Sequence, residues 1–177
     1  MLGGYGDTNR ISTGFLDYLY CTCIAMSDGD ETVLLFKQDL VRSYEPWVEK
    51  ARVLITAATG IPADHIMICS THTHSAPETN SNDAATATYL ELNAFNIAGM
   101  AFVTAPYEMF GASGMHIKEN SPFDITMIFG NANDWNSYCA TEAAYDYMSY
   151  ESSAGFFARG CAEAAANQFI DMLKGLK

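Results

Sequence analysis

The run Ile66-Met-Ile-Cys-Ser-Thr-His72-Thr-His74-Ser-Ala-Pro77 ends an apolar stretch in two histidines one residue apart. Side chains alternate across a strand, so His72 and His74 are expected on the same side of it. Two imidazoles at a strand end suit a metal ion, and zinc is the usual occupant. Pro77 stops the strand shortly afterwards. Glu108 adds a carboxylate just after one expected strand, and Tyr138 adds a phenol in a loop after another. Imidazole and carboxylate ligate zinc readily, and a phenol does so once the metal displaces its proton. A water on such a zinc would be a nucleophile near neutral pH. Asp39 follows a continuous apolar run and places a further carboxylate where that strand leaves the core. Cys69 lies inside the apolar run beside the histidines, where no spacing supports a nucleophilic thiolate. Arg10 reads as an exposed structural arginine.

The elements that must position these groups follow from pattern. Leu16 to Met26 reads as a strand, Ser27-Asp28-Gly29-Asp30 as a turn, and Thr32 to Phe36 as a second strand that closes a hairpin and is close to fully buried. Ser43 is placed to cap a helix with Pro46 in its first turn. Trp47, Ala51, Leu54, Ile55 and Ala58 recur at helical spacing, and Gly60 suits a left-handed terminus. His65 to Ser70 is the third strand, so residues 32–70 have the order and length of a parallel crossover. That places His74 just past a C-terminal strand edge, where α/β sheets tend to carry their sites. Residues 78–88 read as loop or junction. Tyr89 to Asn96 and Met100 to Thr104 read as paired strands, Met109 to Lys118 as a helix, Ile125 to Phe129 as a buried strand, and Ser153 to Leu173 as one long helix.

The chain has 177 residues, enough for one domain with a real core. Its net charge of −12 argues against a nucleic-acid or anionic-membrane surface. No apolar run approaches the ~20 residues of a membrane span. The start, Met-Leu-Gly-Gly-Tyr-Gly, lacks the basic and apolar regions of a secretory signal, so a cytoplasmic location is expected. Cys21, Cys23, Cys69, Cys139 and Cys161 are odd in number and form no CxxC pair. A disulfide framework or zinc ribbon is therefore disfavoured, and they read as small buried hydrophobes in a reducing compartment.

Thr71-His-Thr-His-Ser-Ala-Pro77, preceded by Ala57-Ala-Thr-Gly-Ile-Pro62, resembles the neutral/alkaline (non-lysosomal) ceramidase family. Leu2-Gly-Gly-Tyr-Gly6 with Arg10, Ser12 and Gly14 resembles that family's N-terminal loop, and Asp39 its strand-end aspartate. Ala105-Pro-Tyr-Glu108 resembles its Pro-Gly-Glu segment, with Tyr107 in place of the glycine. Ser121-Pro-Phe123, Gly130-Asn-Ala-Asn133 and Tyr138 resemble its Gly-x-Ala-Asn…Tyr segment. The likeness covers two blocks, about 2–84 and 89–177. A long middle region of the family, carrying a further zinc histidine and a serine implicated in catalysis, has no counterpart here.

The resemblance implies an α/β fold of mixed β-sheet layers flanked by helices, a reduced version of the family's αββα catalytic domain. It implies a single domain over 1–177 with a deletion junction near 79–90. It further implies a zinc amidohydrolase that cleaves the amide of an N-acyl, lipid-like substrate such as ceramide. Zinc would be held by His72, Glu108 and Tyr138. His74 would orient water or polarise the carbonyl, and Asp39 would stand behind the ligands and orient a histidine, as metal-bound imidazoles usually require. The alternative is a non-catalytic remnant acting as a metal-binding or oligomerising domain, with a second copy covering apolar surface exposed by the missing region.

Overall fold

The computed structural model describes residues 2–5, 10–14, 16–77 and 90–177. The expected strand start at Tyr89 and nearly all of the expected junction, 79–90, lie outside the described residues. The fold is mixed α/β, with small mixed sheets and flanking helices. The chain, read above as one domain, gathers into two compact units: Met1–Thr86 with Asn131–Trp135, and Ala87–Gly130 with Asn136–Lys177.

The first unit is built on β1 (Cys21–Ser27), β2 (Thr32–Gln38), α1 (Glu45–Thr59) and β3 (Ile66–Ser70). β1 and β2 form the expected antiparallel hairpin, and β2 and β3 pair in parallel across α1. Leu34 lies opposite Ile66 and Phe36 opposite Ile68, so alternation sends four apolar side chains to one face. Val48, Ala51 and Ile55 of α1 pack on that face. The buried stripe of α1 is thus Val48 and Arg52 with Ala51 and Ile55, and not the expected Trp47 and Leu54, which are 56% and 63% exposed. Arg52 tolerates burial because its Nε donates to the Ile66 carbonyl at 3.0 Å and one guanidinium nitrogen reaches Glu49 at 2.8 Å. Tyr44, not Ser43, is the N-cap of α1, with no side-chain cap bond. Ser43 is buried instead, its Oγ 2.6 Å from the Ser70 Oγ. Gly60 ends α1 at φ 75°, as expected.

Residues 131–135 run along the free edge of β3. The Asn133 N–H donates to the Ile68 carbonyl at 2.7 Å, and the Ile68 N–H donates to the Asn133 Oδ1 at 3.0 Å. β1 differs from expectation in both length and burial. Residues 16–20 precede it, and Cys21 and Cys23 are exposed rather than buried. An edge strand without a layer over it leaves such side chains open to solvent. β2 is buried only at Leu34 and Leu35.

The second unit contains β4 (Asn93–Ile97), β5 (Met100–Thr104), β6 (Glu108–Met109), α2 (Gly111–Glu119), β7 (Ile125–Phe129), β8 (Tyr138–Cys139), α3 (Glu142–Asp146), α4 (Tyr150–Ala154) and α5 (Cys161–Gly175). β4 and β5 form a hairpin, and β7 adds in parallel to β5. Ala101 and Val103 of β5 face a core with Tyr107, Ile117 and the stripe Ala162, Ala166, Phe169 and Leu173 of α5. The opposite face of β5 stacks Phe102 between Phe95 and Phe129, at ring-centroid distances of 5.2 and 6.2 Å. β7 is half-exposed, with Ile125 and Met127 open, and not the buried strand expected. The expected helix from 153 to 173 is two helices. Gly155 lies so close to the Tyr138 carbonyl that a Cβ there would sit 2.5 Å from its oxygen, and the Ser137 hydroxyl donates to the Ala154 carbonyl. Packing of this connection on β8 takes the chain out of the helix until Gly160.

Candidate functional site

The two histidines do come together, but not by strand alternation. β3 ends at Ser70, and His72 sits in the left-handed region at φ 60°. Non-glycine residues enter that region at some cost, histidine more readily than most, and such outliers cluster at functional sites. The turn that follows brings the two rings edge to face, with centroids 4.9 Å apart. The Nε2 atoms face one another at 3.3 Å.

Neighbours on both sides hold this arrangement. His72 Nδ1 lies 2.6 Å from the Val41 carbonyl oxygen. A carbonyl only accepts, so Nδ1 carries the proton and Nε2 is left with its lone pair. On the other side, Gly4 backs directly onto His74: a Cβ at Gly4 would lie 2.3 Å from the His74 Cγ. Tyr5 then meets the His74 ring edge-on, at 4.6 Å between centroids. The N-terminal segment is tied there by backbone bonds, Leu2 N–H to the Arg10 carbonyl at 2.7 Å and Gly3 N–H to the Ala76 carbonyl at 2.9 Å. Arg10 donates to the Gly3 carbonyl at 3.1 Å and lies over the Tyr5 ring at 4.7 Å, so it serves this loop.

Asp39 does not orient either imidazole directly. Its carboxylate accepts from Lys37 at 2.7 Å, from the Tyr20 N–H at 3.0 Å and from the Thr71 hydroxyl at 3.2 Å. The Lys37 ammonium, then the Tyr20 N–H, holds it below the usual carboxylate range. It fixes the residue before His72, while the Val41 carbonyl does the orienting. Cys69 is buried, and burial pushes its thiol up, which keeps it a thiol near pH 7.

In the second unit Glu108 and Tyr138 face each other in register across the parallel pair β6–β8. The Glu108 N–H donates to the Ser137 carbonyl at 2.9 Å and locks that register. The Tyr138 hydroxyl donates to the Glu108 carboxylate. Burial first, then the Glu108 charge and this bond, push the phenol up to about 12. Tyr150 packs edge-on against it at 5.9 Å. Tyr107 is core, 2% exposed and edge-on to Phe157 at 5.5 Å, so it lines no pocket. Trp135 stacks under the Arg42 guanidinium at 4.4 Å.

Each unit therefore carries one pair of the expected groups: two imidazoles in the first, a carboxylate and a phenol in the second. All are donor types that zinc accepts, and the His72 tautomer is the one that ligation through Nε2 requires. Among the described residues, no three of His, Cys, Asp and Glu gather to hold a metal. The Val41 carbonyl had no signal in the sequence, since a backbone acceptor looks alike in every residue. Gly3-Gly4 was visible as a loop but not as the seat of His74.

No family model, no curated protein and no solved structure matches this chain.

Proposed function

We propose that the chain is a shortened member of the neutral/alkaline ceramidase family and hydrolyses a C–N amide bond with zinc. The observation that supports the reading is the His72 ring, oriented by the Val41 carbonyl with its Nε2 toward that of His74. Glu108 and Tyr138, which the resemblance also makes ligands, are neighbours across β6–β8 within the second unit. When bound, zinc supplies polarisation of a carbonyl and a water acidic enough to attack near neutral pH. The chain's own residues supply the rest. His72 is held in one tautomer, Glu108 holds the Tyr138 proton until a cation replaces it, and Asp39 with Thr71 steadies the turn that carries His72. The role that the resemblance gives His74, orienting water or polarising the carbonyl, uses a nitrogen 3.3 Å from that of His72. The substrate class is an N-acyl, lipid-like amide, and the site of action is a reducing cytoplasm.

The test is metal analysis of the purified chain together with turnover of N-acylsphingosine and simpler N-acyl amides. Parent protein should hold one zinc and release fatty acid. His72→Ala, Glu108→Ala and Tyr138→Phe should each lose both properties. A parent chain that takes up no zinc ends the proposal.

One observation favours a second reading, an oligomerising domain. β1 is an edge strand exposed on both faces, with Ile24 57% exposed and Leu16, Tyr18 and Tyr20 open just before it. Such a strand is a template for pairing with another chain. Sedimentation decides it, since a strict monomer at working concentration removes this reading.

No helix among the described residues is long and apolar enough to cross a membrane.

A further inference from the structure

We propose that His74 is itself a metal ligand, so that His72 and His74 chelate one zinc ion through their Nε2 atoms inside the first unit. The inference rests on the zinc reading for the identity of the metal, and it reassigns His74 from orienting the reaction to holding the ion.

The distance carries it. A tetrahedral zinc with Zn–N bonds of about 2.0–2.1 Å separates two ligand nitrogens by about 3.3–3.4 Å, the edge of the tetrahedron. The two Nε2 atoms stand 3.3 Å apart. The rings meet at 72°, edge to face and not stacked. His72 is preset by its bond to the Val41 carbonyl. His74 is backed by Gly4 and Tyr5, which keep its Nε2 toward His72. The turn that sets this geometry holds His72 in the left-handed region, at φ 60°.

Proton bookkeeping gives a readout that a structural histidine would lack. With both rings neutral and His72 protonated at Nδ1, the short Nε2–Nε2 contact needs its proton on the His74 Nε2. Ligation through that atom moves the proton to His74 Nδ1. Zinc binding therefore switches the His74 tautomer and leaves that of His72 unchanged.

The experiment uses the full chain and zinc alone. Affinity is measured by competition with a chromophoric chelator, and tautomers by long-range 15N–1H spectra of the imidazoles. Zinc should switch the His74 pattern. His72→Ala and His74→Ala should each weaken binding by well over ~100-fold, beyond the roughly 10–100-fold that loss of an outer partner costs. His74→Cys, which offers a thiolate, should recover most of the loss, and this guards against mere misfolding of the alanine variant. If His74→Ala binds as the parent does while His72→Ala fails, the chelate is wrong and the zinc hydrolase reading survives. If both histidine variants lose zinc and the parent cleaves no amide, the chelate stands and the hydrolase reading falls. A parent without zinc overturns both.

Discussion

The two units solve the same problem, holding two polar side chains together, by opposite means. In the second unit Glu108 and Tyr138 meet by strand register, on a short sheet next to a core of ten buried residues that includes Tyr107, Phe169 and Leu173. In the first, His72 and His74 meet through a turn with a left-handed residue, and the described residues include a smaller cluster of Leu34, Val48, Ile66 and Ile68. The second pair inherits its geometry from packing. The first is assembled from contacts that include the Val41 carbonyl, Gly4 and the Tyr5 ring edge. A site built that way is adjustable, but each contact is a separate point of failure.

The sharpest way to break this comparison is to empty each core. Phe169→Ala in the second unit should cost about 3–5 kcal/mol, and Ile66→Ala in the first about 2–5 kcal/mol. Both side chains are essentially fully buried. Hydrogen exchange should show each loss confined to its own unit. If Phe169→Ala abolishes protection on β2 and β3 as well, the units unfold as one body and the contrast drawn here is void.

A smaller effect separates loop from core within the first unit. Asn133 is buried at φ 66°, and its Oδ1 accepts the Ile68 N–H. Asn133→Ala strands that buried donor, at about 1–3 kcal/mol, and keeps a Cβ in the left-handed region without the polar side chain that eases it there. Asn133→Gly removes only the hydrogen bond and should cost less. Equal losses, measured by urea denaturation, would show that the backbone conformation is not part of the cost.

The Glu108–Tyr138 pair is sharpened by titration. Tyr138 ionises near 12 against 10 for a free phenol, so between those values the unfolded chain has lost a proton that the folded chain keeps. This group's contribution is complete below pH 10 and is lost as pH rises through about 12. Glu108→Gln removes the charge but not the burial, so the phenolate absorbance should move part of the way down toward 10. An unchanged midpoint would mean that Glu108 does not face the phenol.

How much of this was legible in the sequence depended on whether a signal was local. The hairpin, the β2–α1–β3 crossover, the β4–β5 pair and the Gly60 terminus all rest on runs, turns and spacing, and all are present. What failed was decided by contacts far along the chain. The stripe of α1 could not be chosen by period alone, because Trp47 and Leu54 fit the spacing as well as Val48 and Arg52, and only the Ile66 carbonyl makes Arg52 the buried one. Cys21 and Cys23 look like core until the sheet is seen to end at β1. The break at Gly155 depends on the Tyr138 carbonyl, seventeen positions away. In the candidate site the residue types were legible, but the partners that orient them are backbone atoms and a glycine.

The smallest effects concern how the two units cap their helices. In the second unit α3 and α4 are capped locally, where Thr141 accepts the Ala144 N–H and Ser149 the Ser152 N–H, while α2 and α5 have no side-chain cap. In the first, Tyr44 offers α1 no side chain, and Asp134, from the returning segment, accepts the Glu45 N–H at 3.2 Å. A carboxylate at a helix N-terminus is stabilising by about 0.3–1 kcal/mol and is weakened by salt, whereas losing a hydroxyl cap costs about 0.5–2 kcal/mol with little salt dependence. Thr141→Ala should therefore cost more than Asp134→Ala in low salt, and the gap should widen as salt is added. The distribution of the loss separates the two further. Thr141→Ala should loosen only the first turn of α3. Asp134→Ala should loosen the first turn of α1 and residues 131–135 together, since one bond ties both. Hydrogen exchange that changed at α1 alone would show that the returning segment is held by its Asn133 bonds to Ile68 and that the borrowed cap contributes nothing to it.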